Sequence, residues 1–151
     1  RTSVLRPVQL PGVRTQNSQL ISIDACNRTM PDGSVGAPLI AITYTRPLGA
    51  AQHMSALIVY GLNATSNTTL SGIFNDFTVI PLSYMPFGLE STSLLCEAGE
   101  VDFLLSGSDC CVHVYRAKAD GSVADLTVGR HPMPHLSHLP SPALCVVVEE
   151  R

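Results

Sequence analysis

Apolar residues along this chain come in short, strand-sized runs, and no window sustains them at the i, i+3, i+4, i+7 spacing of an amphipathic helix. The runs fall at residues 19–26, 39–45, 55–60, 77–82, 93–97, 101–106, 111–116 and 144–149, and each predicts a β-strand. Turn formers separate them: Pro31-Asp32-Gly33-Ser34, Pro47-Leu48-Gly49, the segment 63–71, Pro86-Phe87-Gly88 and Asp120-Gly121-Ser122. Many short strands with Gly and Pro punctuation predict an all-β fold, whether sandwich, barrel or propeller.

Residues 101–116, VDFLLSGSDCCVHVYR, narrow the choice. They read as a β-hairpin closed at Ser106-Gly107-Ser108-Asp109, in which Gly107 supplies the φ freedom of the turn and the Asp109 carboxylate bonds turn N–H groups. On the returning strand Cys110, Val112 and Val114 alternate with Cys111, His113 and Tyr115, so both faces suit a core. A hairpin with one face in water alternates apolar with charged residues, whereas this strand needs neighbours on both sides, as stacked propeller blades provide. Residues 39–60 repeat the scheme, with Tyr60 in the place of Tyr115. The spacing is about 55–60 residues, against about 40–45 for a WD-type blade. The expectation is a partial β-propeller of antiparallel strands, WD-type or integrin-like. Its two blades are placed at about 19–82 and 91–149, with 1–18 as a flank or edge strand. Because rings close with about 4–8 blades, residues 19–151 are expected to be a fragment of a propeller domain. Two blades alone would leave apolar faces bare.

Composition adds limits. Hydrophobic content of 45% and charged content of 14% exclude a disordered chain, and a net charge of −3 gives no footprint for nucleic acid or an anionic membrane. No apolar run approaches the roughly 20 residues that span a bilayer, so a soluble protein is expected. The five cysteines are odd in number, irregularly spaced and include the adjacent Cys110 and Cys111. That usage points to free thiols and a cytoplasmic location. Sequons at Asn27, Asn63 and Asn67 favour the alternative, a secreted β-sandwich adhesion or binding domain.

Five segments carry a resemblance: QLISIDACN at 19–27, PLIAITY at 38–44, ALIVY at 56–60, residues 86–89, and FLLSGSDCCVHVY at 103–115. In order and spacing they resemble the kaptin family, whose members carry a strand ending in Ser-Ile-Asp and an FLLSG-x-D turn running into a His-hydrophobic-Tyr strand. The resemblance spans about residues 19–116 and implies the N-terminal part of the family's propeller. It also implies a subunit of the KICSTOR complex, which recruits the GATOR GTPase-activating complex to lysosomes and restrains the target-of-rapamycin (TOR) kinase when nutrients fall. Association with actin filaments at dynamic cell edges is the other implied role. The mild acidity gives no basic patch for acidic actin and tilts the reading toward the complex subunit. The D-x-D-x-D-G runs found further along in the family do not occur, so no calcium site is inferred.

The chemistry-bearing residues have plainer explanations. His131, His135 and His138 are separated by Pro132 and Pro134, which bar a helix from aligning them as metal ligands, and read as loop histidines. Cys110 and Cys111 read as packing residues, since no Lys or Arg adjoins them to favour a thiolate. Asp109 and His113 could pose as an acid–base pair with Ser106 or Ser108 as nucleophile, but the G-x-S-x-G elbow is missing. Asp24 reads as a turn cap. No catalytic, cofactor-binding or metal-binding residue is therefore assigned. The expected function is a non-catalytic scaffold that binds partners through loops 28–37, 62–72 and 117–142.

Overall fold

The structure, a computed structural model, describes residues 10–13, 17–50, 52–61, 76–93, 96–127, 133–144 and 147. Eight strands form in sequence order: β1 Gln19–Cys26, β2 Leu39–Pro47, β3 His53–Gly61, β4 Asp76–Leu82, β5 Pro86–Thr92, β6 Val101–Gly107, β7 Val112–Ala117 and β8 Val123–Asp125. They make two four-stranded antiparallel meanders, β1-β2-β3-β4 and β5-β6-β7-β8. A short 3-10 turn, Pro134–Leu136, follows. The all-β fold expected from the alternation of strand and turn signals is present, in a partial-propeller-like stack.

The strands depart from expectation in three places. β5 occupies Pro86-Phe87-Gly88, read as a connector, while Ser93 and Cys96 lie in bends rather than in a strand at 93–97. As the first residue of an edge strand, Pro86 needs no ladder N–H. The N–H of Gly88 donates to Ser106 Oγ at 2.9 Å, within a register shift between Pro86 and Leu89. β8 has three residues, too few to show a pattern. Of the strand expected at 144–149, Leu144 lies in a bend with its side chain exposed, and apart from Val147 the remainder lies outside the described residues.

The sheets stack through one apolar layer. Leu39, Ala41, Leu57 and Val59 of the first sheet meet Val101, Phe103, Leu105, Tyr115 and Ala117 of the second. Fully burying such a side chain is worth about 1.5–3 kcal/mol, so this layer is the main cohesive contact between the sheets. The opposite, rear face of the first sheet buries Ile42, Tyr44, Ala56, Ile58 and Tyr60, with Leu10 and Val13 packed on it. The opposite, forward face of the second buries Leu104, Val112 and Val114 beneath Leu126, Met133, Leu136 and Leu139. Both faces of β7 are therefore covered, as its sequence requires. Segments from either side cover the central strands of these outer faces, but on the rear face of the first sheet Leu20 and Ile23 of β1 and Phe77 and Val79 of β4 stay exposed, so that face is bare along its edges.

Tyr60 and Tyr115 stand on the third strand of their respective sheets, but Tyr60 faces away from the partner sheet and Tyr115 faces into it. Both therefore lie on the same, rear face of their own sheet. Successive sheets thus repeat in one direction, as propeller blades do, rather than meeting like face to like face. Each hydroxyl bonds to the chain preceding its own sheet: Tyr60 donates to Pro11 O at 2.6 Å, and Tyr115 shares a 3.0 Å bond with Tyr84.

One polar tie joins the first strands. Asp24 is not a turn cap. It lies inside β1 opposite Ala41, and its Oδ2 accepts the N–H and the hydroxyl of Ser91 on β5, each at 2.6 Å. Replacing it removes two bonds to a carboxylate acceptor. Asp24→Ala is expected to lower the free energy of urea unfolding by about 1–3 kcal/mol, and Ser22→Ala, which breaks only the 2.6 Å bond to Thr43 Oγ1 within the first sheet, by about 0.5–1.5 kcal/mol.

Candidate functional site

In each meander the connections after the first and third strands leave from one end. The Asp24–Ser91 tie joins the C-terminal halves of β1 and β5, so that end is shared by both sheets. It gathers the β1–β2, β3–β4, β5–β6 and β7–β8 connections, and Gly99 N–H donates to Thr29 O at 2.6 Å across two of them.

Two of these connections are built alike from Asp-Gly-Ser. In Asp32-Gly33-Ser34 the Ser N–H and hydroxyl donate to Asp32 Oδ1 at 2.9 and 2.6 Å, and in Asp120-Gly121-Ser122 the same pair reaches Asp120 Oδ1 at 2.9 and 2.6 Å. Gly33 and Gly121 take φ of 78° and 86°, the left-handed values such hairpin tips require. The donors hold both carboxyls below the ordinary carboxylate range. Val35, beside the first tip, is 74% exposed.

Beside the second tip the two sheets wall a cleft of about 650 Å³, whose lining includes Arg28, Leu39, Val59, Phe77, Lys118 and Asp120. Arg28 is fixed there by its Nε donating to Ala37 O at 3.1 Å. Of the three expected recognition loops, 28–37 and the start of 117–142 thus meet at one cleft. Loop 62–72 lies outside the described residues, although its flanks Gly61 and Asp76 line the same cleft. The third loop is not wholly a recognition loop, because Leu126, Met133, Leu136 and Leu139 cover the second sheet.

The opposite end holds the residues weighed as chemistry. Asp109 Oδ2 lies 2.8 Å from His113 Nε2. The His113 ring stacks on Tyr84 with centroids 3.9 Å apart and planes 9° apart. Asp109 does not bond the turn N–H groups as expected, since Cys110 N–H donates to Gly107 O and the carboxylate turns to His113. Nor does Gly107 supply the left-handed residue of the turn, which is Cys110 with φ 60°. Gly107 is needed for a different reason: a Cβ there would lie 2.8 Å from Tyr84 Cε2 and closer still to Cδ2. Neither candidate nucleophile is free. Ser106 is buried with its Oγ accepting from Gly88 N–H, and Ser108 Oγ accepts from Met85 N–H at 3.1 Å. Burial pushes the thiols of Cys26, Cys96 and Cys111 up, away from the reactive thiolate. His135 sits in the 3-10 turn, His138 lies just beyond it, and His131 is outside the described residues.

Two polar arrangements escaped the sequence reading. One is the Asp24–Ser91 tie. The other is Arg116, whose Nε and Nη2 grip buried Asp102 at 2.7 and 2.8 Å, with Glu100 at 3.6 Å. Asp102 holds the Arg116 guanidinium firmly charged. The available signal was a charged residue within an apolar strand, as in ISIDAC and VDFLLSG.

Gly107→Ala, which drives a methyl group into the Tyr84 ring, is expected to cost about 1–3 kcal/mol in urea unfolding. Asp109→Ala, whose side chain is 39% exposed, is expected to cost about 1 kcal/mol or less. Burial pushes the Tyr60 and Tyr115 phenols up to about 12, and that of Tyr84 upward as well. The folded state holds these protons more tightly than the unfolded chain, whose phenols titrate near about 10. Their contribution is therefore full below about pH 10 and falls as pH rises through about 12. Alkaline absorbance titration is expected to show these phenols ionising together with loss of the β-sheet circular dichroism signal.

No curated protein and no solved structure matches the chain. The family described as KICSTOR complex protein kaptin matches residues 10–151, from the segment packed on the rear face of the first sheet through both sheets and beyond. The match extends past the 19–116 in which the resemblance was legible, and the chain belongs to the kaptin family.

Proposed function

We propose that this chain is part of a non-catalytic β-propeller scaffold that serves as a subunit of KICSTOR and docks partners through the loop end of its sheets. The observation that carries the reading is the family match over residues 10–151 to a KICSTOR complex protein. The geometry supports it: the Asp-Gly-Ser tips are rigidly bonded, Val35 is exposed beside the first tip, Lys118 lines the cleft, and the serines and thiols that chemistry would need are engaged or held protonated. Recognition surfaces on rigid scaffolds are built this way. Its partners are then the other KICSTOR subunits and components of GATOR, and its setting is the cytoplasmic face of lysosomes, where the complex restrains TOR signalling when nutrients fall. No helix among the described residues is long and apolar enough to cross a membrane, in keeping with recruitment by protein contacts.

The test is affinity purification of the full-length protein from cells, alongside sedimentation with actin filaments. Recovery of KICSTOR subunits without filament binding is expected. Val35→Asp combined with Lys118→Glu is expected to lower that recovery about tenfold, the loss of roughly one good interfacial contact, with the unfolding midpoint unchanged. Filament binding without KICSTOR subunits would assign the cytoskeletal role instead.

A further inference from the structure

The one-directional stacking of the two sheets lets each position in one be matched to a position in the other. In the first sheet Tyr60 pairs with Ile40, and the adjacent pair Val59–Ala41 continues to Asp24 on β1. In the second, Tyr115 pairs with Phe103, and the adjacent pair Val114–Leu104 continues to Glu90 on β5. Glu90 is therefore the counterpart of Asp24. Directly opposed residues in an antiparallel ladder point to the same face. Asp24 accordingly shares the forward face of the first sheet with Ala41, and Glu90 shares the forward face of the second with Leu104.

The two acids differ in one respect. Asp24 accepts the N–H and hydroxyl of Ser91 from the sheet stacked in front of it. Glu90, half-buried on the corresponding face, has no hydrogen-bond or ion-pair partner among the described residues. The strap of Met133, Leu136 and Leu139 covers Leu104, Val112 and Val114 on that face but brings no donor to Glu90. A bond from Leu139 N–H to Cys110 O at 2.7 Å fastens the strap to the β6–β7 turn.

We propose that Glu90 is a docking latch for the leading strand of a further β-sheet of the same stack, carrying Ser or Thr where the second sheet carries Ser91. The backbone N–H and hydroxyl of that residue bind the Glu90 carboxylate as Ser91 binds Asp24. The internal interface fixes this chemistry: first strand on first strand, with a carboxylate in front of an N–H and a hydroxyl. A second copy of this chain stacked head to tail is a poorer occupant, because the residue matching Ser91 is Ala25, which has no hydroxyl. The proposal rests on the propeller reading and is independent of which complex the protein joins.

The test places a photoactivatable benzoyl-phenylalanine at position 90 of the full-length protein in cells and maps the cross-linked peptide by mass spectrometry. A cross-link to another segment of the same polypeptide, extended and bearing Ser or Thr, is expected. In parallel, Glu90→Lys in the full-length protein is expected to raise limited proteolysis beyond β8 about tenfold, and Glu90→Gln, which keeps an acceptor, to raise it far less. Cross-links confined to 133–139 or to a different protein would overturn the proposal, as would equal proteolysis of wild type and Glu90→Lys. Loss of partner recovery in the loop-end variants bears on the complex, not on this latch, so the two can fail separately.

Discussion

The constraint on which the rest of this structure depends is that neither face of its central strands can meet water. β2, β3, β6 and β7 carry apolar side chains on both sides, so each sheet must be covered twice. The shared layer from Leu39 to Ala117 meets the requirement once for each sheet. Leu10 and Val13 on one side, and Leu126 with the strap residues on the other, meet it again. The result is a layered stack in which the same arrangement could repeat, and the polar ties are placed where a sheet begins. Asp24 joins the two first strands, and the Tyr60 and Tyr115 hydroxyls secure the chain that enters each sheet.

This arrangement separates the molecule into two ends with different duties. One carries the turn in which Tyr84, His113 and Asp109 hold the link between the sheets against the β6–β7 hairpin, with Ser108 N–H returning to Met85 O at 2.9 Å. The Ser106 and Ser108 hydroxyls there accept from backbone N–H groups of the linking segment and β5. The other end holds the two Asp-Gly-Ser tips and a cleft lined by the second tip and by Arg28 and Ala37 at the ends of the first loop. Rigid loops on a rigid support lose little freedom on binding.

Much of the fold was legible because strand periodicity is a strong signal where both faces are apolar, as in 39–47 and 101–117. The double-sided character of β7 even indicated stacking. β5 was not legible, because Pro86 and Gly88 read as a turn, whereas an edge strand beside a register shift accepts both. The role of Gly107 was misread for a related reason: its tight fit to Tyr84 is a tertiary contact that no local pattern contains. Asp24 looked like a cap because its partner, Ser91, is distant in sequence, and only the pairing of sheets brings the two together. Of the candidate site, the loops were visible as polar, turn-rich stretches. Their convergence on one cleft was not, since that follows from β1 and β5 running the same way.

The central claim is that the sheets stack in one direction, with Tyr60 facing out of the interface and Tyr115 into it. Nuclear Overhauser contacts between methyl and aromatic groups test it directly. The structure predicts contacts from the Ala41, Leu57 and Val59 methyls to Phe103 and Leu105, and from the Tyr60 ring to Phe77, whose centroid lies 5.9 Å away, with none from Tyr60 to the second sheet. Contacts joining the Tyr60 ring to Phe103 or Tyr115 would mean that like faces meet in a simple sandwich, and would contradict the account.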